Sequence, residues 1–208
     1  MKFVFRVILV FLIIYDINFQ FAAGLTTARL VFVYFFFEMV ILKGKLELPK
    51  QLANYLIILL LFFAYSLLLS TSSGDFTQTA RLFYFTLYVM FGSYLISRYF
   101  KKPLDFATAG FIAVTLQSIV ILACFLMPSV RSLLSNIVVV DSNFAFANFY
   151  RSFGLTSASG SALGVIQGCG AALGVYVFYK AKLNMQKSVL LIGAIVLCLT
   201  TTLVTGRT

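Results

Sequence analysis

The chain is 208 residues long, 62% hydrophobic and 11% charged, and carries a formal net charge of +10 without a single histidine. So apolar a composition excludes a water-soluble domain with an ordinary polar surface, and the missing histidine removes the commonest metal ligand and general base, so neither zinc chemistry nor a cofactor is expected. The excess of positive charge is accounted for by membrane topology and anionic lipid, and no nucleic-acid partner is implied.

Seven apolar runs follow one another: Phe3 to Ile17, Phe21 to Leu42, Gln51 to Ser70, Leu82 to Ser97, Phe106 to Met127, Gly160 to Tyr179 and Ser188 to Val204. A spanning helix needs roughly 20 mostly apolar residues, fewer where flanking groups snorkel. Lipid cannot satisfy backbone polar groups, and the runs lack the alternation of a barrel strand, so helices are predicted. The expected fold is all-α, a polytopic transmembrane bundle of about seven spans forming a single transmembrane domain over residues 1–208. The first run also has the pattern of a signal peptide, with small residues from Ala22 to Gly24 after it; its removal leaves the topology of the rest unchanged.

The connections alternate in character. Lys2 with Arg6, then Lys43, Lys45 and Lys50, then Arg98, Lys101 and Lys102, then Lys180, Lys182 and Lys187 fall on one side, so a single choice of orientation gathers all nine lysines. The positive-inside rule makes that side cytoplasmic and places the N-terminus inside. Five of the seven arginines, Arg29, Arg81, Arg131, Arg151 and Arg207, fall on the other side, against that rule. Arginine grips phosphate oxygens through a planar fork and keeps its charge in a partly dry site, so the set suggests an outward site for an anion.

Inside the second run stand Arg29 and Glu38. Glu38 is near the inner end, within snorkelling reach. Arg29 is eight residues from the outer end, roughly 12 Å at helical rise, so either the helix starts later than the run or the guanidinium points into the bundle. Arg81 stands at the start of the fourth run. Asp16, Asp75 and Asp141 are the outward carboxylates. Cys124, Cys169 and Cys198 lie far apart within apolar runs, form neither a disulfide framework nor a metal motif, and read as packing residues.

The long outer loop, residues 128–159, opens with Pro128, Ser129, Arg131, Leu133, Leu134, Asn136 and Ile137 in the pattern of a short amphipathic surface helix. Further on, Phe144, Phe146, Phe149, Tyr150 and Phe153 surround Arg151. Such rings form an interfacial belt, or a platform beside a cation suited to a lipid-linked anion or a sugar ring. The sixth run begins with Gly160, Gly164 and Gly168 at four-residue spacing, joined by Gly170 and Gly174, which predicts close helix packing or, alternatively, a groove left open for a prenyl chain. Gln117 and Gln167, near the middles of their runs, are expected to hydrogen-bond between helices and are not singled out as site residues.

Arg151, Ser152, Phe153 and Gly154 lead into a glycine-rich run, and Thr205, Gly206, Arg207 and Thr208 follow one run later. In order and separation these two stretches resemble the paired arginine signatures of the bacterial O-antigen polymerase and O-antigen ligase family. The resemblance implies an inner-membrane glycosyltransferase that moves glycan repeat units from undecaprenyl pyrophosphate to an acceptor sugar at the outer face, without a metal ion. Its implied partners are the undecaprenyl-pyrophosphate-linked glycan, membrane lipid and a polysaccharide chain-length regulator. Arg151 and Arg207 match the motif and are expected to stabilise the departing pyrophosphate, with Gly154 allowing close backbone approach beside Arg151.

Arg29, Arg81 and Tyr150 are further candidates for substrate binding, and Asp141 is a candidate general base. Family members have ten or more spans, and the ligases carry a histidine in a later loop, so the chain reads as the N-terminal portion of such a protein. A ligase, an exporter or flippase of lipid-linked sugars or organic anions, and an inactive remnant are the alternatives.

Overall fold

The computed structural model describes residues 2–22, 24–41, 50–139, 154–156, 160–181 and 183–205. The described residues are all-helical: α1 (Lys2–Tyr15), α2 (Thr27–Ile41), α3 (Lys50–Ser73), α4 (Thr77–Tyr99), α5 (Pro103–Leu126), α6 (Pro128–Ser135), α7 (Gly160–Lys180) and α8 (Met185–Thr205). Four stretches, Ala53–Ser73, Pro103–Leu126, Ser161–Lys180 and Met185–Thr205, are long and apolar enough to cross a membrane. Each predicted run holds a helix, but α1 and α2, with 14 and 15 residues, fall short of an ordinary span, and α4 is diluted by Thr, Gln, Ser and two arginines.

The largest departure from the apolar runs is at α2, which starts at Thr27 rather than Phe21. The intervening residues fold into a turn whose ends meet in an antiparallel bridge, Asn18 to Thr26. Gly24 adopts φ +83°, a conformation that glycine enters without strain. Asp16, itself at φ 39°, accepts the Ala28 amide on Oδ1 at 3.1 Å, so a carboxylate caps the exposed N–H groups of α2. Thr27 completes the join: its hydroxyl donates to the Leu12 carbonyl at 2.9 Å and accepts the Ile17 amide at 2.8 Å.

The chain divides into two compact units, residues 1–33 with 102–208, and residues 34–101. In the first, α5 is the central helix and packs against α1, α6, α7 and α8. Its buried face reads Ala107, Gly110, Val114, Gln117, Ile121 and Cys124, alternating steps of three and four that keep one stripe toward its neighbours. The core gathers Tyr15, Ile17, Phe111, Val114, Ile121, Val138, Leu163, Ala171 and Cys198. Close approach of α7 rests on Gly170 and Gly174. A Cβ on Gly170 would lie 2.6 Å from Val114 Cβ, and one on Gly174 would lie 2.7 Å from Ile195 Cγ1. Gly168, expected to share that role, faces open space instead.

At one end of this unit α1 and α5 finish and α7 begins. There α6 leads into a short clasp. Phe19 bridges Val138, the Gln20 amide donates to the Ile137 carbonyl at 2.9 Å, and the Val139 amide donates to the Asn18 carbonyl at 2.8 Å. The helix predicted from Pro128 onward is therefore present and is tied to the α1–α2 turn.

The second unit contains the α3–α4 hairpin and the C-terminal half of α2. Thr79 bonds both Ser66 at 2.8 Å and Ser70 at 2.7 Å, linking α3 to α4 through hydroxyls, and Phe63 and Phe83 add a ring contact at 5.9 Å. Phe35 is buried among Phe91, Tyr94 and Tyr99. Much of α3 faces outward, including Ile57, Leu61 and Leu68, as suits a helix surrounded by hydrocarbon.

Candidate functional site

Of the residues singled out from sequence, Arg151, Arg207, Asp141 and Tyr150 lie outside the described residues. Arg29 is placed in the first turn of α2 by the late start of that helix, and its exposed side chain donates through Nη1 to the Gly24 carbonyl. Of the two arrangements left open by the sequence, the later helix start holds. Arg81 is exposed in the second turn of α4, within electrostatic reach of Asp75. Arg29 and Arg81 belong to different units.

Asp75 is fully exposed and holds the start of α4. The Thr77 hydroxyl and amide, the latter 2.9 Å from Asp75 Oδ1, keep its carboxyl below the usual carboxylate range, and Arg81 adds to that effect. Glu38 is likewise engaged: Tyr99 donates to its Oε2 at 2.7 Å, and Arg98 Nε stands 3.5 Å from its Oε1. That carboxylate serves to join α2 to α4 within the second unit.

Gly154 is the member of the set that the structure sets among other polar groups. Gly154, Leu155 and Thr156 form irregular backbone inside the first unit, with Gly154 and Thr156 buried. A Cβ on Gly154 would lie 2.8 Å from Gln117 Cδ and 3.0 Å from Ile121 Cγ1. By helical rise those α5 residues sit roughly 14 and 8 Å short of the end of α5, so the segment dips well into the bundle. Non-helical backbone at such depth persists only where protein buries it. Thr156 anchors the dip by donating its hydroxyl to the Tyr15 carbonyl at 2.6 Å.

From Tyr15 a chain of neutral polar groups crosses the unit. Gln167 donates through Nε2 to the Tyr15 hydroxyl at 3.2 Å, and its Oε1 accepts from Ser118 Oγ at 2.6 Å. Thr201 donates to Ser118 Oγ at 3.2 Å, and one turn further along α8 Thr205 donates to the Thr201 carbonyl at 2.8 Å. Cys198 adds its sulfur 3.5 Å from Ser118 Oγ. Gln117, Ser118, Gln167, Thr201 and Thr205 are all 0% exposed. The seam therefore runs from Thr156, five residues after Arg151, to Thr205, two residues before Arg207.

Gln167 makes the interhelical bonds expected of it. Gln117 does not: among the described residues neither its Nε2 nor its Oε1 has a partner. The reason is geometric. Its amide lies against the Gly154 backbone, whereas the hydroxyls that satisfy Gln167 belong to Tyr15 and to the next residue on α5, Ser118. Cys124 and Cys198 are buried as packing residues, whereas Cys169 is exposed.

The seam holds amides, hydroxyls and a thiol, neutral groups that fix the helices and the Gly154–Thr156 segment in place. Among the described residues no group of three His, Cys, Asp or Glu side chains is placed to hold a metal ion. Beside the seam, a groove of about 380 Å³ runs between α1 and α5, lined by Val7, Ile8, Phe11, Leu116, Ile119 and Val120 and bounded by Leu155.

Tyr15, Ser118, Thr156 and Thr201 were not singled out from sequence. The signal available for part of the seam is the 3,4 spacing of Cys198, Thr201 and Thr205, which sets one polar face on an apolar helix. Compared with protein-family models, with curated proteins and with solved structures, the chain matched none.

Proposed function

We propose that the chain belongs to a surface polysaccharide polymerase, embedded in a bacterial inner membrane as a seven-span bundle with its N-terminus in the cytoplasm. It takes glycan repeat units from undecaprenyl pyrophosphate at the outer face. The observation that carries this reading is the buried seam, because it joins the segment that follows Arg151 to the segment that precedes Arg207. Thr156 and the last turn of α8, far apart in the chain, are thereby anchored to one set of helices.

In the proposed reaction the acceptor hydroxyl attacks the anomeric carbon of the lipid-linked sugar. The bond from that carbon to the pyrophosphate oxygen breaks, the hydroxyl proton passes to a base, for which Asp141 is the candidate, and undecaprenyl pyrophosphate departs. Charge grows on the departing oxygens, and guanidinium groups fixed at Arg151 and Arg207 stabilise it in the transition state more than in the ground state. The neutral seam suits that task, since it sets backbone positions without competing for the anion.

Deletion of the gene in its bacterial host tests the reading, with the surface polysaccharide run on a gel. Loss of the long-chain ladder, with single repeat units still displayed, is the expected outcome. Full loss of surface glycan assigns the chain to the ligases or to the exporters of lipid-linked sugars, and an unchanged ladder removes polymerisation and leaves export of another organic anion.

A further inference from the structure

Glu38 is a charged side chain on an apolar helix, and the fold nearly encloses it: its side chain is 9% exposed, against 50% for that of Arg98. An ionisable group so placed points to a function. Joining α2 to α4 leaves much of the pair's bonding capacity unused. Tyr99 takes one carboxylate oxygen at 2.7 Å, but Arg98 offers the other only its Nε, at 3.5 Å. The bidentate grip of arginine on carboxylate is therefore absent, and both terminal nitrogens of Arg98 are without a partner among the described residues. Tyr94, buried, adds a hydroxyl within electrostatic reach of Glu38 that meets the geometry of a hydrogen bond with none of the described residues. Phe35 stands 5.3 Å from Tyr94 and 6.0 Å from Tyr99, ring centre to ring centre, so aromatic rings back the carboxylate.

The carboxylate and the spare phenol call for a cation with several hydrogens to donate, and aromatic rings suit such a cation. The spare guanidinium nitrogens call for phosphate. The cluster occupies the last turn of α2 and the last turn of α4, beside exposed Phe37, Ile41 and Ile96, as at the depth where headgroups meet hydrocarbon.

We propose that Glu38, Tyr94 and Arg98 form a seat for the headgroup of phosphatidylethanolamine, with the ammonium on Glu38 and the Tyr94 hydroxyl and the phosphate on the terminal nitrogens of Arg98. Free phosphoethanolamine carries the same two charges, and the exposed apolar side chains beside the cluster favour the lipid. The seat lies wholly within the second unit and stands independently of the polymerase reading.

Native mass spectrometry of the purified full chain in detergent tests the seat, with phosphatidylethanolamine, phosphatidylcholine or phosphatidylglycerol of identical acyl chains added in turn. Phosphatidylethanolamine should be retained about tenfold more tightly than the other two, since phosphatidylcholine has no N–H to donate and phosphatidylglycerol has no cation. Equal retention of the three overturns the proposal. Glu38→Gln should remove the preference, and Arg98→Gln should weaken retention of all three.

Tyr94→Phe separates a seat from a simple join between helices. It removes a hydroxyl that bonds nothing described in the lipid-free fold, so the unfolding midpoint in detergent should hold or rise while the preference for phosphatidylethanolamine falls by about threefold. A preference that survives Glu38→Gln or Tyr94→Phe reduces the cluster to a join between α2 and α4 and overturns the proposal. Displacement of the bound lipid by an equal concentration of free phosphoethanolamine identifies a soluble ligand and overturns the assignment to lipid.

Discussion

A guanidinium differs from an ammonium in shape more than in charge, and the proposed roles of Arg151 and Arg207 depend on that difference. Arg151→Lys and Arg207→Lys should each shorten the polymer despite conserving charge, as read from the surface ladder; normal chain length in both would count against their role. Glycine substitutions in α7 separate packing from sequence pattern. Gly170→Ala drives a Cβ into stiff, β-branched Val114 and should destabilise the bundle by about 1–3 kcal/mol. Gly168→Ala meets nothing within 4 Å and should stabilise it by up to about 1 kcal/mol through helix propensity. Ser118→Ala takes a hydroxyl from both Gln167 and Thr201 and should cost about 1 kcal/mol, a typical size for a polar contact in a membrane bundle. Detergent unfolding compared across the three variants would show the order. Little of this was legible in the sequence. The glycines announced close packing, but which of them meet Val114 and Ile195 depends on how α7 is rotated against α5 and α8, and spacing alone leaves that open.

At the scale of elements, hydropathy located every long helix among the described residues because length and apolarity are local properties. It misplaced the start of α2, where Phe21 and Leu25 are apolar yet belong to a turn. The information that ends the turn is held elsewhere: Asp16 caps α2 from the far end of α1, and Thr27 bonds back to Leu12. The start of α4 has its own cap, and it titrates. Hydrogen bonds from Thr77 depress the Asp75 pKa, so the cap is intact above the ordinary aspartate value and is lost as pH falls through the lower folded one. Amide exchange in the first turn of α4 should therefore quicken below about pH 4, and Asp75→Ala should abolish that dependence. The exposure of Asp75 keeps the effect local to the helix end.

For the whole molecule, the lysine distribution implies one topology and hence a definite labelling pattern. Single cysteines introduced at Asp75 and at Lys101, which flank α4, should react with a membrane-impermeant thiol reagent from opposite faces, with Asp75 accessible from outside intact cells. Labelling of both from one side would remove the fourth span and the seven-span arrangement with it. The overall helical character and the apolar lengths of α3, α5, α7 and α8 were legible, because bilayer chemistry acts on composition. The seam was not, because its members come from α1, α5, α7, α8 and the segment before α7, and each looks unremarkable among its own neighbours. Gln117 and Gln167 have the same residue type and similar depth, and only the packed helices separate a satisfied amide from an orphan.

That dispersal along the chain has a consequence for biogenesis. Tyr15 leaves the ribosome well before Thr201, so the polar contacts between them are completed only when α8 has been inserted. Until α8 arrives, Ser118 and Gln167 wait in the membrane with part of their bonding capacity open, a state that quality-control proteases and insertion chaperones are equipped to recognise. Chains interrupted before Thr201 should be cleared rapidly from the membrane, and their half-life would rise if Ser118 and Gln167 were replaced by apolar residues.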